Sequence, residues 1–397
     1  MTRAEQTINA IRDVLLYILL FVTAISYHPV IIRASRIAGY ENGTILSRYI
    51  ILLFGAVFIL SLSISLLKNS RFYRNVIIWF AVIFVFALVI QAFYRNRDMI
   101  RELRTFAIVL GSIMIGYDLK LEKRQQVFMI LVFCITVLFS GIMQVIMNNG
   151  GFVIANQYLT DAKNSLGAML ATSCFLSVYL FLNFSKRISK YLAMALVLLT
   201  FLVMVTIRAR MAVVAFGFIG LYYYFLIKKN RNIILTLLIC AIILFVGILF
   251  MPSSIVNYLE ASFTAGTQSE DFTSGRMYTY LQAISYLSQN PLFGNVQKLN
   301  QIGWIHNFPL LKIYDYGLLF SWPILVLYVY ICIHAVILSR RFEPLSITCL
   351  GSTCLLIPYM ISMAEPTFPF GPGTVTLINF ILLGMAEKER ISQKSLR

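Results

Sequence analysis

Long apolar runs separated by short charged segments set the pattern of this chain. An apolar run of about 20 residues spans a bilayer as a helix, and such runs fall near 14–32, 49–67, 75–93, 105–117, 127–147, 164–184, 189–207, 211–227, 232–251, 318–338, 345–363 and 373–386. The pattern predicts an all-α, polytopic integral membrane protein of about 12 transmembrane helices. The runs at 105–117 and 373–386 are among the shortest. One long polar interruption, 252–317, lies inside what otherwise reads as a single transmembrane domain over 1–397. Within it Met277, Leu281, Ile284 and Leu287 recur at helical spacing. They predict an amphipathic helix from Arg276 to about Gln289, capped by Thr273 or Ser274, that lies on the bilayer or roofs a cavity. Asn290, Pro291 and Gly294 stop it. Asn307 then caps a second helix with Phe308 and Pro309 in its first turn.

Composition narrows the setting. With 59% hydrophobic and 12% charged residues and a mean hydropathy of +0.82, 397 residues do not make a soluble domain. The first apolar run leads to Tyr27, His28 and Pro29 rather than to a small-residue cleavage site, so the first span is expected to be retained. The six cysteines all fall within predicted spans and indicate neither a disulfide framework nor a metal motif. The three histidines are dispersed and make no metal set either. No cofactor and no metal are expected.

Charge sets an orientation. Lys68, Arg71 and Arg74, then Lys120, Lys123 and Arg124, then Lys186, Arg187 and Lys190, then Lys228, Lys229 and Arg231 occupy alternate loops. Positively charged loops stay in the cytoplasm, which places both termini inside and 252–317 outside. The same rule accounts for a net charge of +17 without nucleic acid as a partner; no basic module with interleaved aromatics is present. The outer cations are nearly all arginine, with Lys163, Lys298 and Lys312 the exceptions. Guanidinium is a planar fork of donors suited to phosphate oxygens. Contact with lipid headgroups satisfies Arg33, Arg36, Arg48, Arg95 and Arg97. Arg208 and Arg210 differ, because TIRARMAVVAF joins two spans with almost no loop. A cation at that depth faces a protein-lined cavity, either to bind phosphate or to pair with Glu365 or Asp161.

The remaining chemistry sits in the polar interruption. Arg276 stands in the first turn of its helix, where a cation opposes the dipole and calls for an anion. His306 precedes a helix start and is a candidate proton acceptor; an ordinary loop histidine is the plainer alternative. His28 and His334 are weaker candidates. Glu270, Asp271 and Asp315 are reserve bases, more simply read as exposed, solvated charges.

The order S-G-R, amphipathic helix, N-P-L-F-G, H-N and a Tyr-Gly pair resembles the C-terminal signature of the O-antigen ligase and O-antigen polymerase superfamily. RELRTFAIVLGSIMIGYDL, KNSLGAMLA and RARMAVVAF extend the resemblance loosely over 100–338. It implies an all-helical bacterial membrane glycosyltransferase, metal-independent, with its site on the outer, periplasmic face of the cytoplasmic membrane. Its substrate would be an undecaprenyl-diphosphate-linked glycan, and its partners the lipid bilayer and a flippase and chain-length regulator of the same pathway. Arg276 and Arg210 resemble the arginines that hold the donor diphosphate, and His306 the essential histidine. Ala209 stands where the family usually has Ser, and Arg208 is an additional cation, so either Arg208 or Arg210 can take the family role. Asn307, Lys163, Asn164 and Arg104, from the same fragments, are secondary substrate contacts. Polymerase and ligase differ only in acceptor, and the compact outer segment favours the polymerase. A transporter or flippase of anionic glycolipids is the alternative of another class, since intramembrane cations also mark transport paths.

Overall fold

The computed structural model describes residues 3–39, 44–65, 71–96, 98–147, 163–207, 209–228, 276–371 and 374–395. Among them the chain is helical, with no strand: α1 Arg3–Ile25, α2 Pro29–Ile37, α3 Ser47–Ser65, α4 Arg71–Tyr94, α5 Asp98–Asp118, α6 Lys123–Met147, α7 Lys163–Asn183, α8 Arg187–Thr206 and α9 Arg210–Lys228. After residues 229–275 come α10 Arg276–Gln289, α11 Phe308–Arg341, α12 Ile347–Ser362 and α13 Leu377–Ser395. Seven of these, α1, α4, α6, α7, α8, α9 and α11, are long and apolar enough to cross a membrane, and α3 and α12 are shorter apolar helices. The run expected at 232–251 lies outside the described residues, as do Cys240, Asp161, Glu270 and Asp271.

The first span departs from its expected bounds of 14–32. It ends at Ile25, and α2 starts afresh at Pro29 with His28 in extended backbone, its Nδ1 accepting from the Val30 amide at 3.3 Å. Proline lacks the amide that would continue the first helix and favours the first turn of a new one.

The two shortest apolar runs lie at the centre of the bundle. α5 is buried from Phe106 to Gly116 and α13 from Leu377 to Ala386. They pack backbone to backbone: a Cβ on Gly116 would stand 2.0 Å from the Ile381 carbonyl oxygen, and one on Gly384 would stand 2.1 Å from that of Ile113. Gly351 of α12 approaches Leu382 in the same way, with a Cβ 2.6 Å from its carbonyl oxygen. Small residues give membrane helices this close approach, which supplies packing where lipid offers no hydrophobic drive. α12 also packs on α9, α7 and α11, so it stands at the junction of both halves. His334 ties α11 to Glu387 of α13 and stacks on Tyr330.

α11 begins ahead of the span predicted at 318–338 and is bent at Gly317, which has φ 66° and ψ 176°. This region of backbone space is essentially closed to side-chain-bearing residues. The bend frees the amides of Leu318 and Leu319, which donate to the carbonyls of Pro291 and Leu292, each at 3.0 Å. In the other direction the Asn295 amide donates to the Tyr314 carbonyl at 2.7 Å. The N-P-L-F-G turn is thus clamped onto the bend, and a Cβ at Gly317 would stand 2.2 Å from the Leu292 oxygen. Gly317→Ala should therefore cost at least the ~1–3 kcal/mol of a residue held in such a region. Gly217→Ala, with nothing within 4 Å of its added Cβ, should leave the melting midpoint in detergent unchanged or slightly raised; equal midpoints for the two variants would contradict the clamp.

Candidate functional site

α10 runs from Arg276 to Gln289 as predicted; its expected caps Thr273 and Ser274 lie outside the described residues. Its apolar stripe is split. Met277, Leu281 and Ile284 are 51–59% exposed, whereas Leu287 turns inward with Tyr280 and Tyr286 around Ala283, Ile305 and Tyr314. Ten residues from Met277 to Leu287 leave the latter about 80° round the helix from the former, so Leu287 stands at the inward edge of the apolar face. The outward face, with Trp304 also exposed, is what a helix lying on a bilayer presents. On the inward side the Tyr280 hydroxyl donates to the His306 carbonyl at 2.7 Å. Burial pushes the Tyr280 phenol up, which keeps it a donor.

Asn307 caps α11 as predicted, its Oδ1 accepting from the Leu310 amide at 3.0 Å. Its Nδ2 donates to the Met363 carbonyl at 3.2 Å. That carbonyl lies just past the end of α12, where unpaired acceptors and the negative end of the dipole gather. Arg276 reaches the same place, Nη1 donating to the Ala364 carbonyl at 3.3 Å and Nη2 lying 3.7 Å from Glu365 Oε1. The other carboxylate oxygen, Oε2, is 3.9 Å from His306 Nδ1. That nitrogen is buried and has no hydrogen-bond partner among the described residues. Glu365 is only 8% exposed, and buried Phe368 and Phe370 follow it. Phe370 packs edge-on against Phe308, the first residue of α11, at 5.5 Å. One aromatic contact therefore positions both the carboxylate and the histidine's helix.

Glu365 also lines a cavity of about 10 Å³ with Asn164, Ala209, Met211, Ala212 and Ile361, room for one water. Gly167 makes the approach possible, since a Cβ there would meet that of Ala209 at 2.6 Å. The small residue at 209 belongs to this contact between α7 and α9. Arg210 opens α9 between two residues of the cavity wall. Lys163 opens α7 beside Asn164. Arg208 lies outside the described residues.

Arg276, His306 and Asn307 thus converge on the end of α12, and Asn164 and the neighbours of Arg210 line one small cavity with Glu365. Arg104 does not join them. It is exposed on α5, which is tied to this region through Glu102 with Lys312 and Asp98 with Lys298. Asp315 is not the exposed charge expected; it is half-buried on α11. The anion that Arg276 calls for is Glu365, a residue read from sequence only as a counter-ion for Arg208 or Arg210. Its signal was a lone carboxylate in the apolar stretch ISMAEPTFPF.

A family model described as O-antigen ligase matches residues 195–295, the stretch that holds Arg208, Arg210 and Arg276. The match supports the O-antigen ligase and polymerase superfamily, and with the apolar helices it describes a glycan-handling integral membrane enzyme. No curated protein matches the chain.

Asn307→Ala removes a helix cap worth about 1 kcal/mol and a hydrogen bond of about 0.5–1.5 kcal/mol. Asn307→Ser should restore the cap's share alone, giving a melting midpoint between alanine and wild type. A serine variant no more stable than alanine would argue against the cap.

Proposed function

We propose that this protein is a glycosyltransferase that joins undecaprenyl-diphosphate-linked oligosaccharide repeats into a surface polysaccharide at the outer face of the cytoplasmic membrane. The convergence of Arg276 and His306 on Glu365, within 3.7 and 3.9 Å of its two oxygens, carries this reading, together with the family match over both arginine positions. The acceptor hydroxyl oxygen attacks the anomeric carbon of the donor as the bond from that carbon to the diphosphate oxygen breaks. The leaving diphosphate takes the bonding electrons, and His306 takes the hydroxyl proton. Glu365 faces Nδ1 of His306, which leaves Nε2 as the nitrogen for that proton. Charge grows on the diphosphate in the transition state, so guanidiniums fixed there stabilise that state more than the ground state. Arg276 supplies one such fork, and Arg210, with Arg208 beside it in sequence, a second. Before substrate arrives Glu365 occupies Arg276, so the diphosphate enters by competing with a carboxylate of the chain.

The printed description of the family model favours a second reading, transfer of the glycan to a lipid A core or another acceptor. The described part of the outer segment, from Arg276 to Asn307, lies against α11 and offers no broad platform for a large acceptor. Purified protein given only a lipid-linked repeat separates the two: laddered product supports the polymerase, and product only after a core acceptor is added supports the ligase.

In the same assay His306→Ala should lose about 10²–10⁴ of the rate and Arg276→Ala about 10²–10³. Arg276→Lys should recover little of it, because an ammonium lacks the fork. Unchanged polymer yield from either alanine variant, correctly inserted, would overturn the assignment.

A further inference from the structure

A second cavity, of about 670 Å³, opens between the α5–α6 connection and the ends of α7, α12 and α13. α12 runs from this cavity, at Ser346 and Ile347, to the Glu365 site, so its 16 residues separate the two by about 24 Å. Ile347 and Met385 contribute apolar lining, and Lys120, Lys123 and Lys388 contribute three cations against one carboxylate, Glu389. Two of these charges are engaged within the chain. Lys388 Nζ donates to the Leu119 carbonyl at 2.6 Å, and Glu389 accepts from the Thr348 hydroxyl. Lys120 and Lys123 are exposed to the cavity and make no ion pair among the described residues. Lys123 is moreover the first residue of α6, where a cation opposes the dipole. α12 starts at the same cavity, and neither helix has an acidic residue in its first turn; Glu122, the residue before α6, is not part of the lining. The starts of α6 and α12 meet the C-terminal ends of α5 and α7 here, so the dipoles offset one another and the positive potential of this partly apolar space rests on the ammoniums. The topological role of cations in a loop explains their number but not a cavity of this size between helices.

We infer that this cavity takes the phosphate-bearing headgroup of an anionic membrane lipid, with the acyl chains against its apolar lining. Basic pockets between helices at the membrane interface hold such headgroups, and the inference stands independently of the reaction at Glu365. Native mass spectrometry of the full chain in detergent, with dioleoyl phosphatidylglycerol or dioleoyl phosphatidylcholine as probe, tests it. The anionic lipid should be retained about tenfold more strongly. The double variant Lys120→Gln, Lys123→Gln should lose the preference, and Lys120→Arg, Lys123→Arg should keep it, so a folded cationic variant covers a glutamine variant that fails to fold. Millimolar inorganic phosphate should leave the lipid bound. Equal retention of the two lipids, a preference that survives the glutamine variant, or displacement of the lipid by inorganic phosphate would each overturn the proposal.

Discussion

The carboxylate of Glu365, held at the C-terminal end of α12, is the constraint around which this end of the molecule is arranged. It is nearly buried, and a buried charge persists only when it is paired. Its partners come from two helix starts far apart in sequence, Arg276 at α10 and His306 before α11. Each is already fixed by other contacts. The clamp of the N-P-L-F-G turn on the Gly317 bend sets the spacing of α10 and α11, and Phe308 with Phe370 sets α11 against the segment that carries Glu365. The carboxylate therefore closes a ring of contacts that the backbone has brought to within a few ångströms.

This arrangement also bears on how the site proposed for a charged substrate is held together. Arg276 and Asn307 both donate to carbonyls at the acceptor-rich end of α12, and Arg276 also lies beside Glu365, so these donors are met by the chain itself. The cavity beside Glu365 has room for about one water. On the proposed function, an entering diphosphate would separate Arg276 from Glu365, and the exchange of one anion for another would keep the cost of desolvating the cation small. Binding and opening would then be one event, and the carboxylate freed from Arg276 would remain beside His306, where the proposed proton transfer places a positive charge.

Much of this was legible in the sequence, and for particular reasons. α10 and the cap at Asn307 follow from local signals, a polar start, an apolar repeat and a Pro in the first turn, which depend little on the rest of the fold. The core helices α5 and α13 were the weakest apolar runs because a helix surrounded by other helices needs no lipid-facing surface and uses glycine to come close. The break at Pro29 was hidden by apolar residues on both sides. Leu287 belongs to the apolar arc of α10, but only its edge of that arc meets Ala283, Ile305 and Tyr314, a tertiary contact that spacing does not encode. Glu365 was visible as an isolated charge, but its partners were not, since nothing local in MAEPTF says which of the cations it meets. Arg104, read as a secondary substrate contact, lies exposed on α5 and does not join the Glu365 cluster.

The central claim is that Glu365 and the incoming diphosphate compete for Arg276. Titration of the purified protein with a short prenyl diphosphate, comparing wild type, Glu365→Gln and Arg276→Ala, measures this directly. The account predicts several-fold tighter binding when the carboxylate loses its charge and at least about tenfold weaker binding when the guanidinium is removed. Equal affinity in all three proteins would contradict it.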